Sequence, residues 1–443
     1  MIRMLRMLRM NKAITINNNS AKRYLSHSKI NDNKATSTLA LNIVGGLIAA
    51  LIVSFPIVAY GTDYYDQWRI NETLMQGQHV KIKPNDYERK DISESLASKI
   101  SPEPQHMQFG YYVITGVKGV GKSTAVKQFT KSRYNNEDVD KRGGVIYVSC
   151  DGDFNDFGKA FADAISYSSI YKPSLLRHYA SMLLMLPGAD GNNSKDTFDA
   201  CKKKFYHAVE NYKNKTGKIP VLIIDNMDNY LTDVRGKLFL QILRKIAKTD
   251  TDNDVLRFVF VTDEDEGLDC LGRRQEPREN FLVISDMSDK DAFHYIEYAC
   301  KDALKQYDIN EVKQMIHDIT GGRISALEFL ALIITEGKSL EELKKLQTSA
   351  EISIANAGMT TPSNKLYEPF WKVAKLLLTC EGENKTVGYT KVIRLINNCE
   401  TDSLLMKSNV FSYNQVTNKI GFRSRAIQYC LQQQANKPNE NKQ

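Results

Sequence analysis

The feature that most constrains this chain is one glycine-rich segment that follows an apolar run. The segment reads Gly116-Val117-Lys118-Gly119-Val120-Gly121-Lys122-Ser123-Thr124. It matches the pattern GxxxxGK[ST] in full. The residues before it, 111–115, have strand-forming side chains, and residues 122–131 favour a helix. A strand, a glycine-rich loop and a helix in this order predict an α/β fold built around a phosphate-binding loop.

The residue types in this loop suit the binding of a nucleotide. Glycines at 116, 119 and 121 let the backbone wrap closely, so that its N–H groups point at phosphate oxygens. Lys122 is expected to reach the β- and γ-phosphates, and Ser123 is expected to ligate Mg²⁺. The predicted cofactors are therefore ATP and Mg²⁺.

A second apolar run, residues 219–225, ends in the carboxylate of Asp225. An uninterrupted run of this kind is typical of a strand in a parallel sheet that is covered on both faces. Asp225 is expected to hold Mg²⁺ indirectly, opposite Ser123. Further strand signals lie at 144–149, 257–262 and 281–285, with helical stretches between them. This alternation predicts an α/β domain with a parallel sheet.

Three other segments resemble short motifs of the AAA+/STAND group of P-loop NTPases, particularly its archaeal-type ATPase branch. They are Ile284-Ser285-Asp286-Met287-Ser288-Asp289-Lys290-Asp291-Ala292, Ile319-Thr320-Gly321-Gly322-Arg323 and Tyr87-Glu88-Arg89-Lys90. The resemblance covers residues 85–345. It implies a nucleotide-binding core at 85–288, a helical lid at 289–356, and a place near the adenine for residues 87–90.

The resemblance also implies roles for single residues. Thr262 or Asp263, at the end of the fourth strand, would contact the γ-phosphate or the attacking water. Arg323 would be a sensor arginine that opens a lid helix. The candidates for an arginine finger that acts in a neighbouring subunit of a homo-oligomer are Arg273, Arg274 and Arg278. Arginines in such places are also often merely solvated, and that alternative stays open.

One position departs from the pattern of this group. The residue after the strand-end aspartate is usually a Glu or Asp that polarises the attacking water, but here it is Asn226. An amide can position a water molecule but cannot accept its proton. Asp228 can take over this role or can belong to a surface loop. The sequence thus predicts ATP binding and leaves open a switch that binds ATP without hydrolysing it.

Residues 365–431 form a further predicted domain. Its predicted helices and alternating runs are 366–380, 388–398, 401–407, 410–413, 419–423 and 425–433. Three helices and a β-hairpin resemble a winged helix. The would-be recognition segment 388–398 offers only the bases Lys391 and Arg394, so we favour protein docking over DNA binding. Residues 434–443 are predicted to be disordered.

The basic excess of the chain is concentrated in an amino-terminal leader. The 443 residues carry a net charge of +8, and residues 1–34 contain eight bases and one acid, Asp32. A basic, hydroxylated and acid-poor leader with Arg3, Arg6 and Arg9 along one helical stripe is typical of a mitochondrial transit peptide. We predict cleavage between Leu25 and Ser26; a disordered basic tail is the alternative. This distribution excludes a uniformly basic nucleic-acid-binding protein.

Residues 39–60 contain no charged side chain. As a helix they would extend about 33 Å at 1.5 Å per residue, which matches the hydrocarbon thickness of a bilayer. We therefore predict one span in the mitochondrial inner membrane, followed by a polar linker at 63–84. Lys29 and Lys34 before the span favour an amino terminus in the matrix and a large domain in the intermembrane space, with a matrix-facing domain as the alternative.

Other features narrow the class of protein. The seven cysteines are dispersed without a CxxC pair, which indicates free thiols instead of a disulfide framework or a metal site. The sequence contains no HExxH motif, so it is not a fused zinc protease. The sequence predicts a membrane-anchored ATP-binding module that remodels or scaffolds partner proteins, with a membrane-tethered nucleic-acid-binding ATPase as the alternative.

Overall fold

The computed structural model describes residues 61, 63–83, 87–102, 110–167, 194–231, 233–263, 279–356, 366–380, 385–396, 410–414 and 416–436. The predicted transit peptide (1–25), the predicted membrane span (39–60) and the three arginine-finger candidates lie outside these residues. In the described part of the chain, no helix combines the length and the apolar character needed to cross a membrane. The chain divides after Tyr64, and the fold below is that of the unit Tyr65–Gln443.

Five parallel strands form the central sheet, in the order β2-β3-β4-β1-β5. The strands are β1 (Tyr111–Thr115), β2 (Val145–Ser149), β3 (Val221–Asp225), β4 (Arg257–Val261) and β5 (Glu279–Val283). The helices of this part are α1 (63–76), α2 (Lys90–Ile100), α3 (Lys122–Ser132), α4 (Phe157–Ala164), α5 (Ser194–Thr216) and α6 (Val234–Asp252). The predicted parallel α/β sheet is confirmed, with β5 beginning and ending two residues earlier than the sequence pattern suggests.

Both faces of the sheet are covered, and this explains the uninterrupted apolar runs. In β1, Tyr111 and Val113 pack into one buried cluster, whereas Tyr112 and Ile114 pack into another. Every residue of β1, β3 and β4 is buried. Because the carboxyl ends of parallel strands meet at one edge, this packing brings the loops after β1, β3 and β4 together.

The sequence suggested that residues 63–84 are a polar linker, and the structure corrects this prediction. Most of this segment is helix α1, and its side chains Ile70 and Leu74 are fully buried in the core beside β1 and β2. The amide of Gln78 then pairs with the backbone of Tyr147 on edge strand β2, with Oε1 accepting at 2.6 Å and Nε2 donating at 3.0 Å. The segment is mostly polar, so the sequence pattern did not reveal its one apolar stripe, which is formed by Ile70 and Leu74, four residues apart on the helix.

The region from 289 to 356 is helical, as predicted for the lid. Its helices are α7 (Asp289–Cys300), α8 (Ile309–Met315), α9 (Ile324–Thr335) and α10 (Lys344–Asn356), with a π-helical turn at Ile316–Thr320 and 3₁₀ turns at Ala303–Gln306 and Leu340–Leu343. Leu327, Leu330 and Ile334 of α9 pack on Tyr295 and Ile296 of α7 in a core of their own. The lid is thus a packed layer attached after the last strand.

The carboxyl-terminal module has a small antiparallel sheet of order β6-β8-β7, and its core also includes Ile319, Ala350 and Ile354 of the preceding helical region. Its elements are α11 (Tyr367–Leu378), β6 (Thr386–Gly388), α12 (Tyr389–Ile396), β7 (Phe411–Asn414), β8 (Lys419–Phe422) and α13 (Arg425–Asn436). The predicted hairpin is β7–β8; the helix predicted at 401–407 lies outside the described residues. Helix α13 runs to Asn436, so residues 434–436 of the predicted disordered tail are helical, and residues 437–443 lie outside the described residues. Gln and Ala are good helix formers, which lets the helix continue beyond its buried Leu431.

Candidate nucleotide-binding site

The glycine-rich loop connects β1 to α3 and encloses the amino group of Lys122. The Lys122 side chain is 8% exposed and forms a 2.6 Å ion pair with Oδ1 of Asp263. Its Nζ also donates to the carbonyl oxygens of Gly116 at 2.7 Å and Val117 at 3.2 Å. The lysine is therefore held in the mouth of the loop, where a phosphate oxygen can take the place of the carboxylate of Asp263.

The backbone of the loop requires glycine at several positions. Gly119 and Gly121 have φ values of +88° and +93°, in the left-handed region that residues with a Cβ rarely adopt. A Cβ on Gly116 would lie 2.1 Å from the carbonyl oxygen of Ile284. No side chain caps the amino terminus of α3. The N–H groups of its first turn and the helix dipole therefore suit a bound phosphate.

The end of β3 places oxygen ligands beside the loop. Asp225 is 1% exposed and accepts a 2.7 Å hydrogen bond from the hydroxyl of Tyr147 on neighbouring strand β2. Ser123 lies next to it and donates to Oδ1 of Asn226 at 3.5 Å. A hydroxyl and a carboxylate side by side are the donors that Mg²⁺ takes in phosphate sites, so the residues present fit the predicted ion.

The backbone conformation at position 226 explains in part why an asparagine stands there. Its φ of 59° and ψ of 34° are left-handed, and Asn is one of the few residues other than Gly that adopt this conformation readily. Its Nδ2 donates to Oδ1 of Asp151 at 2.7 Å and to Oγ of Ser149 at 3.3 Å. The residue therefore ties the ends of β2 and β3 together, and the structure offers Asp151 as a second carboxylate near this edge.

Asp228 lies against the end of β4, not in a detached surface loop. Thr262 donates from Oγ1 to Oδ1 of Asp228 at 2.6 Å, and the backbone N–H of Asp263 donates to its Oδ2 at 3.0 Å. Asp263 is also the partner of Lys122. The structure thus joins Lys122, Asp263, Thr262 and Asp228, which the sequence singled out separately, into one connected group.

The predicted sensor residue Arg323 stands at the start of lid helix α9. Its guanidinium forms a forked pair with Asp286, from Nε to Oδ1 at 3.2 Å and from Nη2 to Oδ2 at 3.1 Å. Two residues on, the N–H of Ser325 donates to the carbonyl oxygen of Gly119 at 3.1 Å. The lid helix therefore rests directly on the phosphate loop, and Arg323 is placed near this loop with Asp286 as its partner.

Residues 87–91 border a large cleft that is also lined by residues of α3 and α7. The cleft has a volume of about 1090 Å³ and is lined by Tyr87, Gln128, Met287, Asp291 and Tyr298 among others. The ring of Tyr87 packs edge-on against Tyr298 at 5.5 Å between centroids. An aromatic wall with nearby polar groups is suited to a planar base. Residues 87–90, for which the motif implied a place near the adenine, thus border this cleft, and the role near the adenine stays a prediction.

Sequence reasoning missed three side chains of this site. They are Tyr147, Asp151 and Asp286, which contact Asp225, Asn226 and Arg323 respectively. The order of the strands in the sheet would have revealed the first two, because β2 neighbours β3 and their carboxyl ends coincide. Asp286 lay within a motif already singled out, but its partner is 37 residues away.

Burial raises the pKa of Asp225 above its ordinary value of 3.8, although hydrogen bonds from Tyr147, Ser123 and the backbone of Asn226 oppose this. Burial likewise raises the pKa of Asp228, against the hydrogen bonds from Thr262 and the backbone of Asp263. Burial and the carboxylate of Asp225 raise the pKa of Tyr147, so its hydroxyl remains a donor at neutral pH. The site therefore holds carboxylates whose charge is costly, as expected where a cation binds.

As the pH rises above 3.8, the ordinary pKa of an aspartate, we expect the free energy of unfolding of Asp225→Asn to increase relative to that of the wild type. Between that value and the higher pKa in the fold, the folded state holds more protons than the unfolded state, so the wild-type free energy of unfolding falls with pH. The asparagine does not titrate. Urea unfolding of the nucleotide-free chain across this range measures the difference, and a difference that stays constant with pH would contradict the prediction.

Gly322→Ala is expected to loosen the docking of the lid. The backbone N–H of Met287 donates to the carbonyl oxygen of Gly322 at 2.9 Å, and a Cβ on Gly322 would lie 1.9 Å from the carbonyl oxygen of Met287. Forcing these backbones apart should cost about 1–3 kcal/mol in urea unfolding. Gly388→Ala is the matched control, because a Cβ there meets nothing within 4 Å. Equal stability of the two variants would argue against this docking.

The comparison with known families agrees with this geometry. A family model described as an AAA domain matches residues 105–266. That range contains the phosphate loop, Asp225, Asp228 and Thr262. Together, the motif, the parallel sheet and this match support a P-loop NTPase of AAA+ type.

No curated protein matches the chain by sequence. Among solved structures, the chain is similar to the Walker-type ATPase paby2304 of Pyrococcus abyssi, at 12% identity and a TM-score of 0.47, covering 80% of this chain and 98% of that one. It is also similar to Aeropyrum pernix Orc1 in complex with DNA, at 13% identity and a TM-score of 0.38, covering 80% and 94%. Cdc6p of Pyrobaculum aerophilum is similar at 14% identity and a TM-score of 0.36, covering 82% and 98%. Likeness this distant says nothing of the partners of this chain.

Proposed function

We propose that this chain is an ATPase of AAA+/STAND type that binds ATP and Mg²⁺ at the phosphate loop and uses the nucleotide to rearrange its core against its lid. The observation that carries the proposal is the convergence of Lys122, Ser123, Asp225 and Asp228 at one edge of the sheet. Each is held there by contacts to neighbouring strand ends. The match to an AAA domain over 105–266 supports the same assignment.

Each residue of the proposed site has a distinct role. Lys122 exchanges its contact with Asp263 for a phosphate oxygen, and the N–H groups of the loop and of α3 bind the remaining charge. Ser123 would ligate Mg²⁺ and Asp225 would hold it indirectly, and the bound ion would neutralise charge on the phosphates. Asp228, oriented by Thr262, accepts the proton of the attacking water. Arg323 leaves Asp286 to contact the phosphate, which couples the lid to the nucleotide.

A second candidate is a switch that binds ATP without turnover. It is favoured by Asn226, whose amide cannot accept a proton and whose side chain is engaged with Asp151 and Ser149. In that case the chain would exchange ADP for ATP and move its lid without releasing phosphate. The two candidates share the binding site and differ only in the chemical step.

We also propose a subcellular location for the chain. Residues 1–25 act as the transit peptide, residues 39–60 anchor the chain in the mitochondrial inner membrane, and the nucleotide-binding unit lies in the intermembrane space. There it remodels or scaffolds partner proteins, with the winged-helix-like module as a docking site and with Arg278 acting in a neighbouring subunit of a homo-oligomer. Import into isolated mitochondria followed by protease treatment of mitoplasts tests this: digestion of the unit supports it, and protection places the unit in the matrix.

Phosphate release from ATP by the full chain tests the proposed activity. We expect turnover that requires Mg²⁺, together with a change in particle size between ATP and ADP in size-exclusion chromatography. Saturable ATP binding without phosphate release would favour the switch. Neither binding nor release would refute both candidates.

A further inference from the structure

Helix α1 buries one face in the core and leaves two aromatic side chains exposed. Ile70 and Leu74 are fully buried, whereas Trp68 is 50% exposed and Tyr65 is 45% exposed. The rings of Tyr65 and Trp68 stack with their centroids 5.8 Å apart. They therefore form one patch, which we call the aromatic face of α1.

The aromatic face of α1 suits a boundary between an apolar and an aqueous phase. Single exposed apolar residues are common and need no partner, but two adjacent large rings present apolar area that water solvates poorly. Each ring also carries a polar tip, the indole N–H or the phenol hydroxyl, which can stay in contact with water. Trp and Tyr are accordingly enriched where a membrane meets water.

The aromatic face lies close in the chain to the predicted membrane span. Tyr65 comes five residues after Tyr60, the last residue of the uncharged run 39–60. A chain of five residues extends about 8 Å if it is helical and at most about 18 Å if it is fully extended. The headgroup layer on each side of a bilayer is about 5–8 Å thick. The covalent chain thus keeps the aromatic face near this layer.

The charges on α1 show which force would make the contact. The guanidinium of Arg69 lies 5.9 Å from the centroid of the Tyr65 ring, so a cation accompanies the aromatic face. Such a group can donate to a lipid phosphate while its stem lies along apolar surface. Residues 63–76 nevertheless contain three acidic side chains and one basic one. This balance does not attract an anionic surface, so the rings themselves would supply the contact.

We propose, given the membrane anchor proposed above, that the aromatic face of α1 lies in the headgroup layer of the bilayer that holds residues 39–60. Tyr65 and Trp68 contribute their rings, and Arg69 contacts a phosphate group. Because Ile70 and Leu74 fix α1 to the core beside the sheet, this contact holds the nucleotide-binding core against the membrane surface.

The test uses the full chain in phosphatidylcholine vesicles whose acyl chains carry bromine close to the headgroups. The chain has two tryptophans, Trp68 and Trp371, so Trp371→Phe leaves Trp68 as the only indole. This variant should fold, because the buried indole N–H of Trp371 has no hydrogen-bond partner among the described residues. We expect brominated lipid to remove roughly half or more of the Trp68 emission, because an indole in the headgroup layer contacts the quencher.

The matched control moves the tryptophan to another surface. Leu332 on lid helix α9 is 51% exposed, nearly the same as Trp68. In a chain that combines Leu332→Trp with Trp68→Phe and Trp371→Phe, brominated lipid should leave the emission unchanged. If Trp371→Phe fails to fold, the quenching lost between the wild type and Trp68→Phe gives the same answer.

Four results would overturn the proposal. Unquenched Trp68 in a chain that resists carbonate extraction from the vesicles would refute it and leave the membrane anchor standing. A blue-shifted but unquenched emission would show that protein, such as a second copy of the chain, covers the aromatic face. Equal quenching of the α9 control would show that the vesicles do not select α1. A chain that carbonate removes from the vesicles would refute the anchor itself, and the proposal with it.

Discussion

Replacing Lys122 by alanine is expected to weaken ATP binding roughly 100-fold, because it removes a desolvated charge that would contact the phosphates. Lys122 is the one lysine held inside the glycine-rich loop, where two loop carbonyls and Asp263 fix its amino group. Titration of the full chain with a fluorescent ATP analogue measures the loss. Binding that survives unchanged would refute the assignment of this loop.

The matched control for this variant is Lys159→Ala, which removes an exposed lysine on α4. It should leave the affinity for ATP unchanged. Thermal unfolding of both variants separates a lost contact from a lost fold. Removal of Lys122 leaves Asp263 without its cation, but the side chain of Asp263 is 34% exposed, so water can solvate it and the fold should persist.

Asp228→Asn is expected to lower the turnover of ATP by roughly 100-fold or more, while ATP binding changes little. The amide keeps the size of the carboxylate and can still accept a hydrogen bond from Thr262, but its nitrogen cannot accept the one from the backbone N–H of Asp263, and it cannot take a proton. Phosphate release at saturating ATP measures the rate. An unchanged rate would remove Asp228 from the chemical step.

Two further variants sharpen this test. Asp163→Asn, an exposed carboxylate on α4, is the control for charge and should turn over ATP at the wild-type rate. Asn226→Gly keeps a residue that tolerates the left-handed backbone and removes the amide. If Asn226→Gly abolishes turnover and Asp228→Asn does not, the asparagine and its partner Asp151 are the working groups instead.

The parts of the fold set by local pattern were predictable from the sequence. The apolar runs at β1, β3 and β4 and the glycine-rich loop depend on neighbours in the chain, and all lie where the sequence suggested. Helix α1 was not predicted, because two buried side chains, Ile70 and Leu74, were diluted by polar neighbours. Its role is set by packing on the sheet, which no local pattern reveals.

The sequence predicted individual residues of the candidate site but not the hydrogen bonds that connect them. The sequence singled out Asp228, Thr262, Asp263 and Lys122, but only the fold shows that hydrogen bonds join them. The contacts of Tyr147 with Asp225 and of Asp286 with Arg323 depend on strand order and on the docking of the lid. Such contacts arise between residues far apart in the chain, so a single sequence cannot fix them.

Calorimetric titration of the full chain with ATP, in the presence and absence of Mg²⁺, tests the central claim most directly. The site described above predicts one ATP bound per chain, with an affinity that falls when Mg²⁺ is removed and falls again when Asp225 is replaced by Asn. Saturable binding that needs neither Mg²⁺ nor Asp225, or no binding at all, would contradict it.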